Sequence, residues 1–272
     1  MPSQPSTLPP AYRHRRRTLA LCGLAVLLLF AVTALAPLPY SIAQPGLTAD
    51  VLGKNRGKQV ITVSGDDIRE GTPKGQLLMT TIAATPPDAT VRLWDVARDY
   101  VAEDRAVMPR DAVYPVGDSP REIRRHNEGE MRKSQNAATD AALHHLGRSA
   151  DDLDVTLRLA DVGGPSAGLL FTLGIIDKVE GDGKGGDLTG GRVIAGTGTI
   201  EAGGKVGPVG GVPLKTRAAR RDGATVFLVP EEECQDARTG LPSGLRLIPV
   251  STLKGTLKAL AALRDGGRVP SC

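Results

Sequence analysis

Aromatic residues and cysteines are scarce in this chain: its 272 residues include one Trp, four Tyr, three Phe and three Cys. Proteins that bind nucleic acid combine a basic surface with stacking aromatics, and both are missing here. The formal net charge of +4 is carried by Arg13, Arg15, Arg16 and Arg17, which precede the first acidic residue. The remaining chain is therefore formally neutral, and we expect no nucleic-acid partner.

The sequence also lacks motifs for metals and nucleotides. It contains no C-x-x-C, no H-E-x-x-H and no G-x-x-x-x-G-K-[ST] pattern, so we expect no metal site, no cofactor and no ATPase module. All four histidines lie before residue 146, so the rest of the chain has no imidazole base. Apolar residues still make up 40%, enough for an ordinary core of Ala, Val, Leu and Ile.

Residues 18–36 form an uncharged, apolar run directly after the basic tail of residues 1–17. A helix of this length spans close to the roughly 30 Å hydrocarbon core of a bilayer. Arginines on the N-terminal side hold that end in the cytoplasm. The sequence therefore predicts a single-pass protein of the cell membrane, with a cytoplasmic N-terminus and the rest of the chain extracytoplasmic.

A cleaved signal peptide is the alternative, because Ala34-Leu35-Ala36 imitates a signal-peptidase site. Pro37 would directly follow the cut, where proline generally blocks cleavage, and the apolar run is long for a signal sequence. We therefore favour an uncleaved anchor. A lipoprotein is disfavoured, since Leu21 precedes Cys22 where a small residue is required.

Cys22 lies in the apolar run, so Cys234 and Cys272 are the two cysteines predicted to meet an oxidising compartment. A disulfide between them would tether the C-terminal tail to the loop after Pro230. Two free thiols are nearly as compatible with the sequence.

After the apolar run we expect a linker at residues 37–57, because this stretch contains several Pro and Gly residues. A strand-rich region at residues 58–150 follows. KQVITVSG and GQLLMTTIAATP read as its strands because they are rich in Val, Ile and Thr.

A long polar helix is predicted to end this region. Ser-Pro-Arg-Glu at residues 119–122 is a capping box with proline at the first helical position, and the helix runs to about Gly147. Its apolar positions are few, chiefly Ile123, Met131 and alanines. This pattern predicts one thin buried stripe.

Residues 163–174, GGPSAGLLFTLG, join an alternating strand to an apolar helix that includes Leu169, Leu170, Leu173 and Ile176. Gly163 and Gly164 permit a tight turn, and Pro165 presets a helical φ, so Ser166 falls on the first helical turn. Free amides and the positive end of the helix dipole surround such a serine, and these features stabilise an oxyanion. An ordinary helix cap is the alternative role, since serine is a favoured capping residue.

Lys215 stands near the start of a helix predicted within GPVGGVPLKTRAARRDGA. A serine hydroxyl is a weak nucleophile without a base, and a lysine supplies one when burial depresses its pKa and leaves a neutral amine. Its sequence neighbours are apolar: Val212, Pro213, Leu214 and Ala218. Most lysines are solvated charges at the protein surface. A further criterion is therefore needed to identify Lys215 as a general base.

Three motifs in order supply that criterion: GGPSAG around Ser166, AGTGTI around Thr197, and GPVGGVPLKTRAARRDGA around Lys215. With these motifs and their spacing, residues 154–262 resemble the proteolytic domain of Lon proteases. The resemblance implies Ser166 as nucleophile, with Gly164 and Pro165 supporting it, and Lys215 as general base. It further implies that the Thr197 hydroxyl orients the lysine amine.

The same resemblance implies an α/β fold with mixed sheets and packed helices over residues 151–272, protein or peptide substrates, and a homo-oligomeric ring of the hexameric type. The anchor, the strand-rich segment and the stretches MPRDAVYPVGDS and SQNAATDAALHHLG also resemble the membrane-anchored Lon-like proteases of Gram-positive bacteria. Those relatives carry a PDZ domain between the polar helix and the protease. Here Gly147 is followed almost at once by Leu153, so we expect no PDZ domain.

Two positions depart from the family pattern. Many Lon proteins have Asp three residues before the serine, where this chain has Gly163, and Glu where it has Thr199. Neither exchange removes the serine or the lysine. The sequence therefore predicts a membrane-anchored, ATP-independent serine endopeptidase with a Ser-Lys dyad. The alternative is an inactive, membrane-tethered scaffold or regulatory protein that retains the fold.

Overall fold

The structure, a computed structural model, describes residues 10–69, 71–116, 119–159 and 165–272, with side chains from residue 15 onward. The helices in these ranges are α1 (Pro10–Leu35), α2 (Leu93–Tyr100), α3 (Arg110–Val113), α4 (Pro120–Leu146), α5 (Gly168–Val179), α6 (Val212–Arg221), α7 (Cys234–Arg238) and α8 (Leu253–Arg264). The strands are β1 (Tyr40–Asp50), β2 (Lys54–Asn55), β3 (Lys58–Gln59), β4 (Ile61–Gly65), β5 (Gln76–Ala84), β6 (Ala106–Pro109), β7 (Leu153–Leu157), β8 (Val193–Gly196), β9 (Thr199–Ile200), β10 (Val206–Gly207), β11 (Val226–Pro230) and β12 (Arg246–Val250). Short 3₁₀ turns precede α5 and α7, at Pro165–Ala167 and Glu231–Glu233.

Helix α1 contains the apolar run of the sequence. Its segment Arg15–Leu35 is long and apolar enough to cross a membrane, and its side chains are exposed. A segment of this length and composition near the N-terminus occurs both in membrane spans and in signal sequences.

A six-stranded mixed sheet forms the centre of the fold, in the order β12-β11-β8-β5-β1-β6. The pairs β12/β11, β11/β8 and β8/β5 are parallel, whereas β1 pairs antiparallel with both β5 and β6. Parallel strands are covered on both faces and therefore read as continuous apolar runs, as in β11, where every residue is buried. The predicted α/β class with mixed sheets is confirmed.

The predicted linker at residues 37–57 is wrong, because Tyr40–Asp50 forms β1, which pairs with strands on both sides. Pro45 and Gly46, two of the residues that suggested a linker, lie where the β1–β5 register shifts between Pro45 and Thr48. A proline is tolerated at such an irregularity because the ladder of hydrogen bonds is already interrupted there. The central sheet therefore includes strands from both sides of residue 150.

Helix α4 has the predicted bounds and the predicted cap. The Ser119 hydroxyl accepts a hydrogen bond from the Glu122 N–H, and the Glu122 carboxylate accepts one from the Ser119 N–H, both at 3.3 Å. Gly147 ends the helix in the left-handed region, with φ of 64°. The buried stripe is thin, as predicted, and faces α5: Ile123, Met131, Ser134, Ala138, Ala141, Ala142 and Leu143.

Helix α5 is buried along nearly its whole length. The predicted apolar face is fully buried, and Phe171 and Ile175 on its other sides are buried as well. A helix that is apolar all round belongs in the interior, here in contact with both α4 and β5. The N-terminus of α5 is therefore held from several directions, and this is where the candidate serine lies.

Candidate active site

Ser166 lies in the 3₁₀ turn Pro165–Ala167 immediately before α5, and its side chain is half-buried. Its carbonyl oxygen accepts hydrogen bonds from the Gly198 N–H at 2.9 Å and from the Thr197 hydroxyl at 3.2 Å. The Ser134 hydroxyl of α4 donates to the carbonyl of Pro165 at 3.0 Å. Three hydrogen bonds from separate parts of the chain thus fix the backbone of the serine turn.

Gly164, which the sequence assigns to the support of this turn, lies outside the described residues. Pro165 lies within the turn and is exposed. Ser166 therefore precedes the regular helix by one 3₁₀ turn and does not sit inside its first α-helical turn.

Thr197 directly follows β8 and is fully buried. Its N–H donates to the carbonyl of Leu228 on β11 at 3.1 Å, which extends the parallel pairing beyond the end of β8. The carbonyl of Gly198 accepts the N–H of Leu169 on α5 at 3.1 Å. The end of β8 is therefore bound on one side to the sheet and on the other to the serine turn.

Gly211 allows α6 to begin close to the sheet. It adopts φ of 70°, and a Cβ at this position would lie 2.8 Å from Cγ2 of Ile82. The carbonyl of Gly211 accepts the N–H of Lys215 at 3.1 Å, as expected in the first turn of a helix. The buried face of α6, which includes Val212 and Leu214, packs on β1 and β5 and directs Lys215 into the protein.

The side chain of Lys215 is nearly inaccessible, with 3% of the residue exposed. Its Nζ lies 3.0 Å from Oγ1 of Thr197. Burial lowers the pKa of Lys215 from 10.5 to about 8, and the charge of Glu233 partly opposes this shift. At pH 7 Lys215 is therefore a neutral amine in roughly a tenth of the protein molecules. The neutral amine is the form that can accept a proton.

The Thr197 hydroxyl joins the other two candidate residues. It lies within hydrogen-bond distance of both the Lys215 amine and the Ser166 carbonyl oxygen. Among the described side chains there is no direct hydrogen bond between the Ser166 hydroxyl and the Lys215 amine. The fold thus brings the three predicted residues together, with Thr197 as the contact between them.

Glu233 also lies at this site and was not predicted from the sequence. Its Oε1 accepts the Val209 N–H at 3.2 Å, and its charge acts on Lys215. Glu231, Glu232 and Glu233 are consecutive in the sequence, so nothing local distinguishes the one that faces the lysine.

A disulfide lies directly beside Glu233. Cys234 is bonded to Cys272, with their Cα atoms 5.4 Å apart, so the pairing that the sequence left open is present in the structure. The bond attaches the C-terminal tail to the start of α7. Cys22 is a free, exposed cysteine on α1.

A cleft of about 1220 Å³ lies between α4, the β2–β3 hairpin and the end of β7. Met131 and Gln135 of α4 line it, and they flank Ser134, which is bonded to the serine turn. The charged residues among its described lining are mainly basic: Arg56, Lys58, Arg124, Arg132 and Arg158, against Asp88 and Glu128. The cleft therefore approaches the serine turn and carries an excess of positive charge.

Comparisons with known proteins find similarity to Lon proteases. The model of the Lon protease (S16) C-terminal proteolytic domain matches residues 160–263. Lon protease 2 of Bacillus subtilis (strain 168) is 30% identical over 148 residues, which are 52% of this chain and 24% of that protein. The Lon protease of Chloroflexus aggregans is 37% identical over 98 residues, which are 35% of this chain and 11% of that protein.

The Lon protease of Rhizobium meliloti is 36% identical over 104 residues, 37% of this chain and 12% of that protein. The chain thus spans a quarter or less of the length of these relatives. The matched part contains Ser166, Thr197 and Lys215 together with α5, β8, α6 and β11. Residues 160–263 of this chain are therefore similar to the proteolytic domain of Lon serine proteases.

Proposed function

We propose that this protein is a membrane-anchored, ATP-independent serine endopeptidase in which Ser166 is the nucleophile and Lys215 the general base. The proposal rests on the buried amine of Lys215, which lies 3.0 Å from the Thr197 hydroxyl. That hydroxyl in turn donates a hydrogen bond to the carbonyl oxygen of Ser166. Burial favours the neutral amine, and a neutral amine can take the proton of a serine hydroxyl.

The reaction proceeds through an acyl-enzyme. Lys215 takes the proton of the Ser166 hydroxyl as its oxygen attacks the scissile carbonyl, and the ammonium then protonates the leaving amine. Backbone amides around Ser166, at the N-terminal end of α5, hold the oxyanion. Water then attacks the acyl carbonyl while Lys215 takes its proton. The bond to the Ser166 oxygen breaks, the Lys215 ammonium returns that proton to the serine, and the peptide acid is released.

The proposed location places the protease outside the cytoplasm. Helix α1 crosses the cell membrane, with the arginines of its N-terminal flank on the cytoplasmic side. Peptide substrates then meet the site without an ATP-driven unfolding module. By the family resemblance the chains assemble into a ring; sedimentation of the full chain in detergent tests this, and monomer alone would refute it.

We further propose that substrate reaches the serine through the cleft beside α4, and that acidic segments bind there preferentially. Arg124, Arg132 and Arg158 are exposed in its lining. None of these three has a salt-bridge partner within 4.0 Å among the described residues. Their charges are therefore available to an acidic polypeptide.

Hydrolysis of unfolded casein by the full chain in detergent tests the proposal. The wild-type protein should cleave casein without ATP, and Ser166→Ala and Lys215→Ala should each reduce the rate by at least about 100-fold. Lys205→Ala is a matched control, because Lys205 is exposed on the β9–β10 hairpin, and it should retain activity. Equal activity in all variants would refute the dyad, and no activity in any of them would favour the inactive scaffold.

A further inference from the structure

Helix α2 presents an apolar face to the outside of the protein. Five exposed residues lie on one side of α2 and just beyond its C-terminal end: Leu93, Trp94, Ala97, Tyr100 and Val101. Trp94, Tyr100 and Val101 are the extreme cases, with 76%, 80% and 79% of each residue exposed. Large aromatic and apolar side chains gathered on one exposed side indicate a contact surface. We call these five residues the α2 patch.

The opposite side of α2 is fixed to the protein by polar contacts. The buried carboxylate of Asp99 pairs with Arg98 at 3.1 Å and with Arg105 at 3.4 Å. The carboxylate of Asp95 accepts the N–H of Arg92 at the start of the helix. Rotation of α2 to bury its apolar side would expose the buried Asp99 carboxylate and break its contact with Arg105, so the observed orientation is favoured.

The α2 patch lies beside the end of the apolar N-terminal helix. Helices α1 and α2 are in contact. Leu38, three residues after the end of α1, forms an antiparallel bridge with Val91, two residues before the start of α2. Whatever surrounds the C-terminal end of α1 therefore also lies next to the α2 patch.

A bilayer surface is the occupant that fits these observations. Tryptophan and tyrosine concentrate at the membrane-water interface, because their rings are apolar and their N–H and O–H groups need polar partners. The exposed side chain of Arg92 lies at the start of the helix and can reach lipid phosphates. The continuity with α1 favours this occupant over a second copy of the chain.

We propose that α2 lies in the interface of the membrane that α1 spans, with Trp94 and Tyr100 inserted among the lipid headgroups. This inference rests on the proposed anchoring by α1. Two attachments, one spanning and one lying on the surface, fix the orientation of the protease domain relative to the membrane, whereas a single helix would let the domain tilt.

Fluorescence of Trp94 tests the inference, since Trp94 is the only tryptophan in the chain. The full chain is reconstituted into vesicles of phosphatidylcholine and phosphatidylglycerol, with or without lipids brominated near the top of the acyl chain. We expect emission at short wavelength, loss of most emission with brominated lipid, and protection from aqueous acrylamide. Emission typical of a water-exposed indole, quenched by acrylamide and unaffected by brominated lipid, would overturn the inference.

Variants separate insertion of the patch from other effects. Leu93→Ser/Tyr100→Ser retains Trp94 and should lose most of the quenching by brominated lipid. Leu47→Ser is the matched control, because Leu47 is a large exposed apolar residue that lies toward the far end of β1 from α1. Its Trp94 emission should be quenched as in the wild type. Unchanged quenching in the double variant would overturn the inference.

Flotation of the vesicles and resistance to alkaline extraction report on α1 separately. If the chain stays with the vesicles while Trp94 remains in water, α1 anchors the chain but α2 does not contact the membrane, and the inference is refuted. If the chain is extracted, both the anchoring by α1 and the contact of α2 with the membrane are refuted. An emission shift that disappears on dilution and does not respond to brominated lipid would assign the patch to a second copy, and would also overturn the inference.

Discussion

The Lys215 amine and the Thr197 hydroxyl lie 3.0 Å apart inside the protein, and this contact determines how the lysine can act. A threonine hydroxyl has one hydrogen to donate, and here it points to the carbonyl of Ser166 at 3.2 Å. Thr197 must therefore accept a hydrogen from Lys215. A neutral amine that donates one hydrogen to Thr197 still keeps its lone pair, and the lone pair is available for the proton of the Ser166 hydroxyl.

Thr197→Val should lower kcat by about 100-fold with little change in KM, because the amine loses the contact that orients it. Thr197→Ser restores the hydroxyl and should recover most of the activity. Steady-state kinetics on a fluorogenic peptide give both parameters, and the pH profile of the valine variant should change with them. A valine variant with the kcat of the wild type would rule out a positioning role for Thr197.

Glu233→Gln should shift the pH dependence of activity toward lower pH. The negative charge of Glu233 stabilises the ammonium form and raises the pKa of Lys215, so its removal lowers that pKa below about 8. In the proposed mechanism activity depends on the neutral amine, so it should rise with pH through this pKa. The rising limb of kcat/KM should therefore lie at lower pH in the variant, with higher relative activity at neutral pH.

Glutamine keeps an oxygen that can accept the Val209 N–H, so the local structure should survive this exchange. Glu232→Gln is the matched control, because Glu232 is an exposed neighbour in the same turn. Its pH profile should coincide with that of the wild type. A shift of the Glu233→Gln profile toward higher pH would contradict the electrostatic account.

Local signals in the sequence predict some elements well. The ends of α4 follow from its capping box at Ser119 and from Gly147, because both act within a few residues of the helix end. Ser166, Thr197 and Lys215 were chosen because they belong to three motifs that follow one another in a set order. In the structure the Thr197 hydroxyl lies within hydrogen-bond distance of the Ser166 carbonyl and of the Lys215 amine.

Features that depend on distant pairing could not be predicted in this way. Strand β1 was not predicted, because it contains Pro45 and Gly46, which are typical of a linker. It forms by pairing with β5 and β6, which lie further along the chain. The proximity of Glu233 to Lys215 likewise arises only when α6 and the turn before α7 pack together.

Cys234 and Cys272 should be oxidised in the purified protein. Under denaturing conditions a maleimide-polyethylene glycol should label only Cys22 before reduction and all three cysteines after it. For a sequence separation of 38, Cys272→Ser should lower the free energy of unfolding by about 4 kcal/mol. Labelling of all three cysteines without reductant would contradict both the bond and the proposed extracytoplasmic location.

Reversing charge in the cleft beside α4 should change substrate preference. Arg124→Glu/Arg132→Glu should raise KM for acidic peptides about tenfold and leave neutral peptides nearly unaffected, because the rim charges then repel the substrate. Arg125→Glu is the matched control, since Arg125 is exposed on the same helix but does not line the cleft. An equal effect of all variants on acidic and neutral peptides would contradict binding in the cleft.

Covalent labelling of the nucleophile reports directly on whether Lys215 activates Ser166. A peptidyl phosphonate ester that captures activated serines is added to the full chain across a range of pH, and the modified residue is identified by peptide mass mapping. The account predicts an adduct on Ser166 that forms faster as pH rises through about 8 and is nearly absent in Lys215→Met. Labelling of Ser166 at the same rate in Lys215→Met, or labelling of another residue instead, would contradict the account.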